Sequence, residues 1–495
     1  MASDFIVLSH REPYEEIQTE SGIERRRKTN GVFTTLDSVM RRRRGTWIAW
    51  KERGPDVAFD DVIHVPSAED PESYRVHRIG LDPDEARRFY YDFTSTAIWP
   101  VLFSLLDRAR FTQESWETYQ RVNHIFAEVA CEEAAEGALV WVNDFHLMLT
   151  PKLIKRRRPD LTVALFLHTT FPPPDVFAVI PWRRELLDGL LHLDLMGFHI
   201  PSYVLNFANT VERFMGATPS AVARTDLIAE GPAVAVPRYP LAVQYGDHLV
   251  ALGVYPVGVD VQYFADVAQR PATRERAAEI RQRTGAKKVI LSAERLDYVK
   301  GALERLECFE RFLERHPERH GDVSFVQIAV PTRTGMEEFQ TMRRSAEEAV
   351  GRINGRFGTM GWQPVIHFYG SFDRDELVAF YVTADVAWVT PLRDGMNLVA
   401  KEYIASRVGG DGVVILSEFA GAAAELAQVI LTNPYSPDDM DRALDEALSL
   451  SPGERTGRML ALRERVIGYD VHEWSRRFLQ DAERVGGARM AGRTV

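Results

Sequence analysis

The sequence predicts an α/β protein made of two successive halves, each a parallel sheet covered by helices on both faces. Three observations lead there. Short apolar, β-branched runs recur along the 495 residues, each followed by a longer stretch with helical spacing. These runs are nearly continuous in apolar residues, as strands buried on both faces are. The alternation is interrupted at "LGVYPVGVD" (252–260), where Pro and Gly punctuate the chain before a second series opens.

In order, "DFIVLS", "ALVWVND", "TVALFLH" and "LDLMGFH" read as strands of the first half. After a charged helix over 265–284, the second half contributes "KKVILSAE", "VSFVQIAVP", "VIHFYGS", "ADVAWVTP" and "GVVILSE". The expected domains are 1–253 and 254–470, followed over 471–495 by a helix, "DVHEWSRRFLQDAERV", that packs back across the first domain. Its continuation, "GGARMAGRTV", reads as a frayed tail. No internal repeat or low-complexity segment interrupts the pattern.

Composition excludes several classes. With 45% hydrophobic and 26% charged residues the chain has apolar sequence enough for two cores and too much for disorder. A net charge of −11 argues against non-specific nucleic-acid binding. The arginine clusters "ERRRK" (24–28) and "RRRR" (41–44) read as solvated faces, with a phosphate-steering rim as the alternative. Cys131 and Cys308 lie far apart without a CxxC partner, so they read as core thiols. No run approaches about eighteen apolar residues, so no membrane partner is expected and the cytoplasm is the default location.

Open α/β sheets bind ligands beyond the carboxyl ends of their strands, which tells where to look for chemistry. His10 and Arg11 follow the first strand, Asp144 and His146 follow "VWV", and His168 follows "ALFL". Arg295 and Lys300 follow "VILSA", and Arg333 follows "FVQIA". In "SAERLDYVKG" (292–301), Arg295 and Lys300 lie in one strand-to-helix loop, suited to clamping a diphosphate, a planar fork beside a point charge. The competing reading pairs them locally with Glu294 and Asp297.

"VTPLRDGMNLVAKEY" (389–403) reads as a strand end and a helix opening at Gly395. The amides of Gly395, Met396 and Asn397 would then form an anion-favouring helix terminus, with Asp394 either as its N-cap or as a ligand contact. Eight helical steps would separate Asp394 from Glu402 by about 12 Å. That exceeds the roughly 5–9.5 Å of a glycosidase carboxylate pair, so the spacing suits grips on two ends of an elongated ligand. Lys401 reads as a solvated helix residue. His168, at the head of the proline-stiffened "FLHTTFPPPDVF" (166–177), divides evenly between a structural and a site role.

Absences narrow the reaction. No GxxxxGK[ST], no GxGxxG after the first strand, no HExxH and no GxSxG occurs in the sequence. Three DxD pairs, Asp82/Asp84, Asp373/Asp375 and Asp439/Asp441, precede predicted helices and read as caps rather than metal ligands. A metal-dependent transferase is disfavoured.

At this point the motifs resemble a known family, the trehalose-6-phosphate synthase family of retaining GT-B glycosyltransferases. The likeness runs from "SHREPY" through "FYYDFTSTAIWP", "WVNDFH", "FLHTTFPPPDVF", "SAERLDYVKG" and "GRINGRFG" to "VTPLRDGMNLVAKEY" and "ILSEFAGAAAEL". "SHREPYEE", "WIAWKE" and "GFHIPSYVLNF" look most like its glucosylglycerol-phosphate synthase branch. The resemblance implies two Rossmann-like domains facing each other across a cleft. It implies an enzyme without cofactor or metal, whose partners are a nucleotide-diphosphate-glucose donor and a small phosphorylated acceptor. It leaves homo-oligomerisation open.

By the same resemblance, Arg295 and Lys300 would hold the donor diphosphate and Glu402 its ribose hydroxyls. Asp394, with Gly395, Met396, Asn397 and Leu398, would meet the transferred glucose and phosphate, and His168 would touch the donor sugar. Asn30 and Gly31 stand where relatives carry a Gly-Gly loop near the donor phosphates. Arg11, Tyr90, Trp99, Asp144 and Arg333 would form the acceptor pocket, Arg11 and Arg333 meeting its phosphate and Trp47 shaping the wall. Phe145 replaces the family's usual Tyr, which removes a hydroxyl beside the acceptor. No phosphatase segment follows, so the phosphorylated product is expected to need a separate phosphatase.

The implied reaction transfers glucose from ADP-glucose to sn-glycerol 3-phosphate with retention of configuration. The departing phosphate oxygen takes the acceptor's proton, and no residue is placed as a covalent nucleophile. Rival readings are a trehalose-6-phosphate synthase using glucose 6-phosphate, a pseudo-glycosyltransferase joining cyclitols, and a non-catalytic sugar-phosphate sensor. The intact Arg295, Lys300, Asp394 and Glu402 set weighs against the sensor.

Overall fold

A computed structural model describes residues 2–19, 22–27, 31–54, 59–66, 70–223 and 238–491. The described chain forms two compact units, the first holding the chain to Pro256 and again from Trp474, the second holding Val257–Glu473.

The strands of the first unit are β1 (Ser3–Leu8), the β2–β3 hairpin (Tyr14–Thr19, Gly22–Arg27), β4 (Thr46–Glu52), β5 (Val62–Val65), β6 (Tyr74–Leu81), β7 (Ala134–Asn143), β8 (Thr162–Phe166), β9 (Leu195–Phe198), β10 (Thr218–Ala223), β11 (Tyr239–Tyr245) and β12 (His248–Val254). Ten of them make one sheet in the order β10-β11-β12-β9-β8-β7-β1-β4-β6-β5. Its centre is parallel, but β5 pairs antiparallel with β6, and β11 pairs antiparallel with both β10 and β12. The sequence predicts only parallel pairing. It misses these outer strands because partly exposed strands such as "YRVHRIGL" alternate polar and apolar residues.

The second unit holds β13 (Lys288–Arg295), β14 (Val323–Val330), β15 (Val365–Tyr369), β16 (Val386–Val389), β17 (Val413–Ser417) and β18 (Ile430–Thr432). They form a wholly parallel sheet in the order β15-β14-β13-β16-β17-β18. One face carries Ile290, Phe325, Val365, Trp388 and Ile415 into a core completed by Phe309, Phe312, Ile353 and Leu444 from the covering helices. The charged helix predicted over 265–284 is two helices, Val261–Gln269 and Pro271–Thr284. Pro271 cannot continue the first helix but fits the opening turn of the second.

The last helix, Val471–Met490, buries Trp474 and Phe478 against Trp141 and Phe166 of the first sheet. It runs as far as Met490, into the stretch read as frayed, of which 492–495 lie outside the described residues. Gly486 allows this, because a Cβ there would stand 2.1 Å from Thr162 Oγ1. Arg489 then donates to the carbonyls of Asp160 and Leu161 and pairs with Asp194. Cys131 and Cys308 are buried and free, and no described helix is long and apolar enough to cross a membrane.

Candidate active site

In the first unit the candidate residues leave the carboxyl ends of β1, β7 and β8, which are neighbours in the sheet. The Arg11 guanidinium lies 4.1 Å from the Trp50 ring centroid and 4.9 Å from that of Tyr90. Two aromatic faces at these distances attract and align the cation. Trp47, expected to shape the wall, supports the chain at Arg11. It is fully buried, and its indole N–H donates to Arg11 O at 3.1 Å, so it holds the backbone that carries Arg11.

Tyr90 comes from a π-helical stretch, Arg87–Ile98, with Trp99 immediately beyond it. Such wide turns recur at functional sites. Tyr90 also stacks on His10, which in turn stacks on His146 at a ring separation of only 3.9 Å. Trp99 is buried against Phe103 and Phe145.

Asp144 follows β7 with φ +70°. Its Oδ1 accepts the backbone N–H of His168 at 3.2 Å, while His168 Nε2 lies 3.1 Å from Asn143 Oδ1. Burial, reinforced by His199, pushes the His168 pKa well down, so its imidazole is neutral at neutral pH. The structure therefore brings His168 together with Asp144 in the first unit. Asn30 lies outside the described residues, and Gly31 opens the helix Gly31–Arg43.

In the second unit, Arg295 ends β13 and Lys300 ends the short 3-10 turn Tyr298–Lys300. Their predicted local partners are engaged elsewhere. Glu294 pairs with the buried Arg305, and Asp297 pairs with Arg333 at 2.8 Å. Arg305 in turn donates to Lys300 O at 2.9 Å and to Thr390 Oγ1 at 3.2 Å. Gly301 passes so close to Thr390 O that a Cβ would meet it at 2.3 Å, and its φ of +69° suits glycine. Lys300 Nζ reaches Asp394 Oδ2 at 2.6 Å, presenting a cation and a carboxylate side by side.

The helix predicted to open at Gly395 begins at Leu398, and its cap is Asn397 rather than Asp394. Asn397, at φ +77°, accepts the Ala400 N–H and donates to Asp394 Oδ2 at 3.0 Å. Asp394 is thus aimed at Lys300, and the free end of the helix presents the amides of Leu398 and Val399. Because 394–397 is not helical, the rise-based separation from Glu402 no longer applies. Glu402 accepts from the buried Tyr381 hydroxyl at 2.7 Å. Lys401, read from sequence as solvated, is buried, paired with Glu425 and donating to Val257 O at 2.6 Å.

Arg333 belongs to this unit, at φ +45° beyond β14, and its guanidinium is buried between Asp297 and the Phe339 ring. The sequence groups it with Arg11; the structure joins it to the turn that carries Lys300. Asp144, Arg333 and Asn397 account for half of the six non-glycine residues with positive φ among those described. Such conformations persist where surrounding contacts over-determine them, which is common at functional sites.

Of the DxD pairs, Asp82 and Asp373 cap helices, whereas Asp439 and Asp441 lie inside Pro437–Ser449, and Asp441 is held by Arg311. Sequence reasoning missed Trp50, Tyr381 and Arg305, and named Asp297 only as a local partner of Arg295 and Lys300. Only Trp50 left a signal, its place two residues before the end of an aromatic-rich strand.

Two α/β units with their polar groups gathered at the carboxyl ends of parallel strands, and a cationic turn beside a helix N-terminus, are the architecture of a glycosyltransferase. The chain belongs to glycosyltransferase family 20, whose model matches residues 3–484. It is 40% identical over 491 residues to a glucosylglycerol-phosphate synthase of Picosynechococcus sp., covering 98% of both chains. It is likewise 40% identical over 480 residues to a trehalose-6-phosphate synthase of Mycolicibacterium gilvum, covering 96% of this chain and 93% of that one. Among solved structures, a UDP-forming α,α-trehalose-phosphate synthase from Burkholderia xenovorans in complex with glucose-6-phosphate is similar with a TM-score of 0.84 and 28% identity. The match covers 97% of this chain and 99% of that chain.

Proposed function

We propose that the protein is a retaining glucosyltransferase that moves glucose from a nucleotide-diphosphate-glucose, ADP-glucose being favoured, to sn-glycerol 3-phosphate, yielding glucosylglycerol phosphate. The observation that carries this reading is the end-to-end similarity to the Picosynechococcus glucosylglycerol-phosphate synthase. The equal identity to the Mycolicibacterium trehalose-6-phosphate synthase supports a second reading, with glucose 6-phosphate as acceptor.

In either case Arg295, Lys300 and the Leu398 and Val399 amides take up the charge that builds on the leaving diphosphate. Preorganised donors of this kind contribute several kcal/mol each, about 2.7–4 where one has been removed. Asp394 engages the transferred glucose, and Glu402 the ribose hydroxyls. Arg11, steadied by Trp50 and Tyr90, and Arg333 attract the acceptor phosphate, and Asp144 orients its hydroxyls. His168, neutral, offers a hydrogen bond to the sugar rather than a charge. The acceptor hydroxyl attacks on the face the diphosphate leaves, and a phosphate oxygen receives its proton.

The test incubates the protein with ADP-, UDP- or GDP-glucose against glycerol 3-phosphate or glucose 6-phosphate and identifies products by mass and anomeric configuration. Glucosylglycerol phosphate as the main product supports the first reading. Trehalose phosphate supports the second, and no transfer with any pair overturns both. Because protein cations neutralise the leaving group, chelation by EDTA should leave the rate unchanged.

A further inference from the structure

Glu402 lies next to a residue wholly committed to the core, yet is itself partly exposed on the helix Leu398–Ser406. Its Oε2 accepts from the Tyr381 hydroxyl at 2.7 Å, and its Oε1 takes no hydrogen bond among the described residues. Tyr381 belongs to the helix Arg374–Thr383 and is fully buried. Its ring is wedged between Phe264, at 6.4 Å and 56°, and Tyr403, at 6.4 Å and 83°. A phenol held by rings on two other helices has a fixed hydroxyl direction, so the hydrogen bond restrains a carboxylate that would otherwise rotate. Tying two helices together needs no carboxylate, and burial works against one: it pushes the Glu402 pKa up, with Tyr381 and then Arg374 opposing the rise. A carboxylate kept at that cost, with one oxygen clamped, has the form of a pre-aimed acceptor.

We propose that Tyr381 is a positioning residue, whose hydroxyl fixes Glu402 so that the carboxylate meets the vicinal hydroxyls of the donor's ribose. The proposal rests on the reading of Glu402 as the ribose contact, and the experiment separates the two. Calorimetric titration uses ADP and UDP as probes, each beside its 2′,3′-dideoxy form, on the wild type, Tyr381→Phe and Glu402→Gln.

The wild type should bind the ribose forms more tightly than the dideoxy forms. Tyr381→Phe should weaken the ribose forms about fivefold, the worth of one hydrogen bond, and leave the dideoxy forms unchanged. Its donor KM should rise to match, with kcat at saturating donor nearly unchanged. Glu402→Gln keeps a polar partner for Tyr381 but loses the charge, and it should remove most of the discrimination.

Equal wild-type affinity for ribose and dideoxy forms would overturn the ribose reading and the proposal with it. Full discrimination retained by Tyr381→Phe, or equal weakening of both forms, would overturn the proposal alone. Should Tyr381→Phe fold poorly, discrimination that survives intact in Glu402→Gln would overturn it instead.

Discussion

Lys300 is the residue on which the proposed reaction leans most, because its ammonium is delivered to one place by independent restraints. Arg305 holds its carbonyl, Gly301 follows in the left-handed region, and Asp394 receives its Nζ at 2.6 Å. Lys300→Ala should lower kcat by about 10²–10³-fold while circular dichroism stays native. Near-normal transfer by that variant would remove the diphosphate clamp from the mechanism. Arg333→Ala tests a subtler point. An acceptor role alone predicts a raised acceptor KM with nucleotide affinity intact. The ion pair to Asp297, which also caps Val299 N in the Lys300 turn, predicts that nucleotide affinity falls as well. Titration of ADP into the variant distinguishes these outcomes.

At the scale of elements, the hairpin after Arg11 is anchored by charge. Arg78 on β6, nearly buried, donates to Glu12 at 2.8 Å and to Glu16 at 2.9 Å, and Lys51 pairs with Glu16. Burial by itself would raise the Glu16 carboxyl, but the bonds from Lys51 and Arg78 lower it from its ordinary 4.5 to about 2. A depressed folded-state pKa means that the stabilisation is fully present above 4.5 and is lost as pH falls through about 2. Urea midpoints measured across that window should fall, and Glu16→Gln should flatten the fall; an unchanged slope would show that the pairing carries no stability. The helix Leu398–Ser406 depends on a buried pair of another kind. Lys401→Met strands Glu425 and the Val257 carbonyl, so denaturant unfolding should register a loss of about 3–5 kcal/mol.

At the scale of the whole molecule, the chain returns at its end to complete the first unit. Trp474 and Phe478 fill the space beside Trp141 and Phe166, and Tyr255 donates to Asp481 at 2.8 Å. Trp474→Ala should cost about 3–5 kcal/mol and lower the thermal midpoint, read by calorimetry. A variant as stable as the parent would show that the helix is an accessory to the first unit. Much of this organisation is legible in sequence: nine of the parallel strands follow from apolar runs, and the Pro- and Gly-rich interruption falls where the compact units divide. The outer antiparallel strands are not, because a half-exposed strand and a polar loop share the same residues.

The sequence by itself determined the α/β class and the family. The class follows from the periodicity of the apolar runs, and the family from the resemblance of motifs spread along the chain. Only the tertiary structure decided which charges face one another. Lys401 and Glu402 are neighbours in sequence, but a helix turns about 100° per residue, so one is carried to Glu425 and the other to Tyr381. Asp297 and Arg333, like Lys300 and Asp394, meet across separate strand ends, and sheet order rather than spacing brings such pairs together.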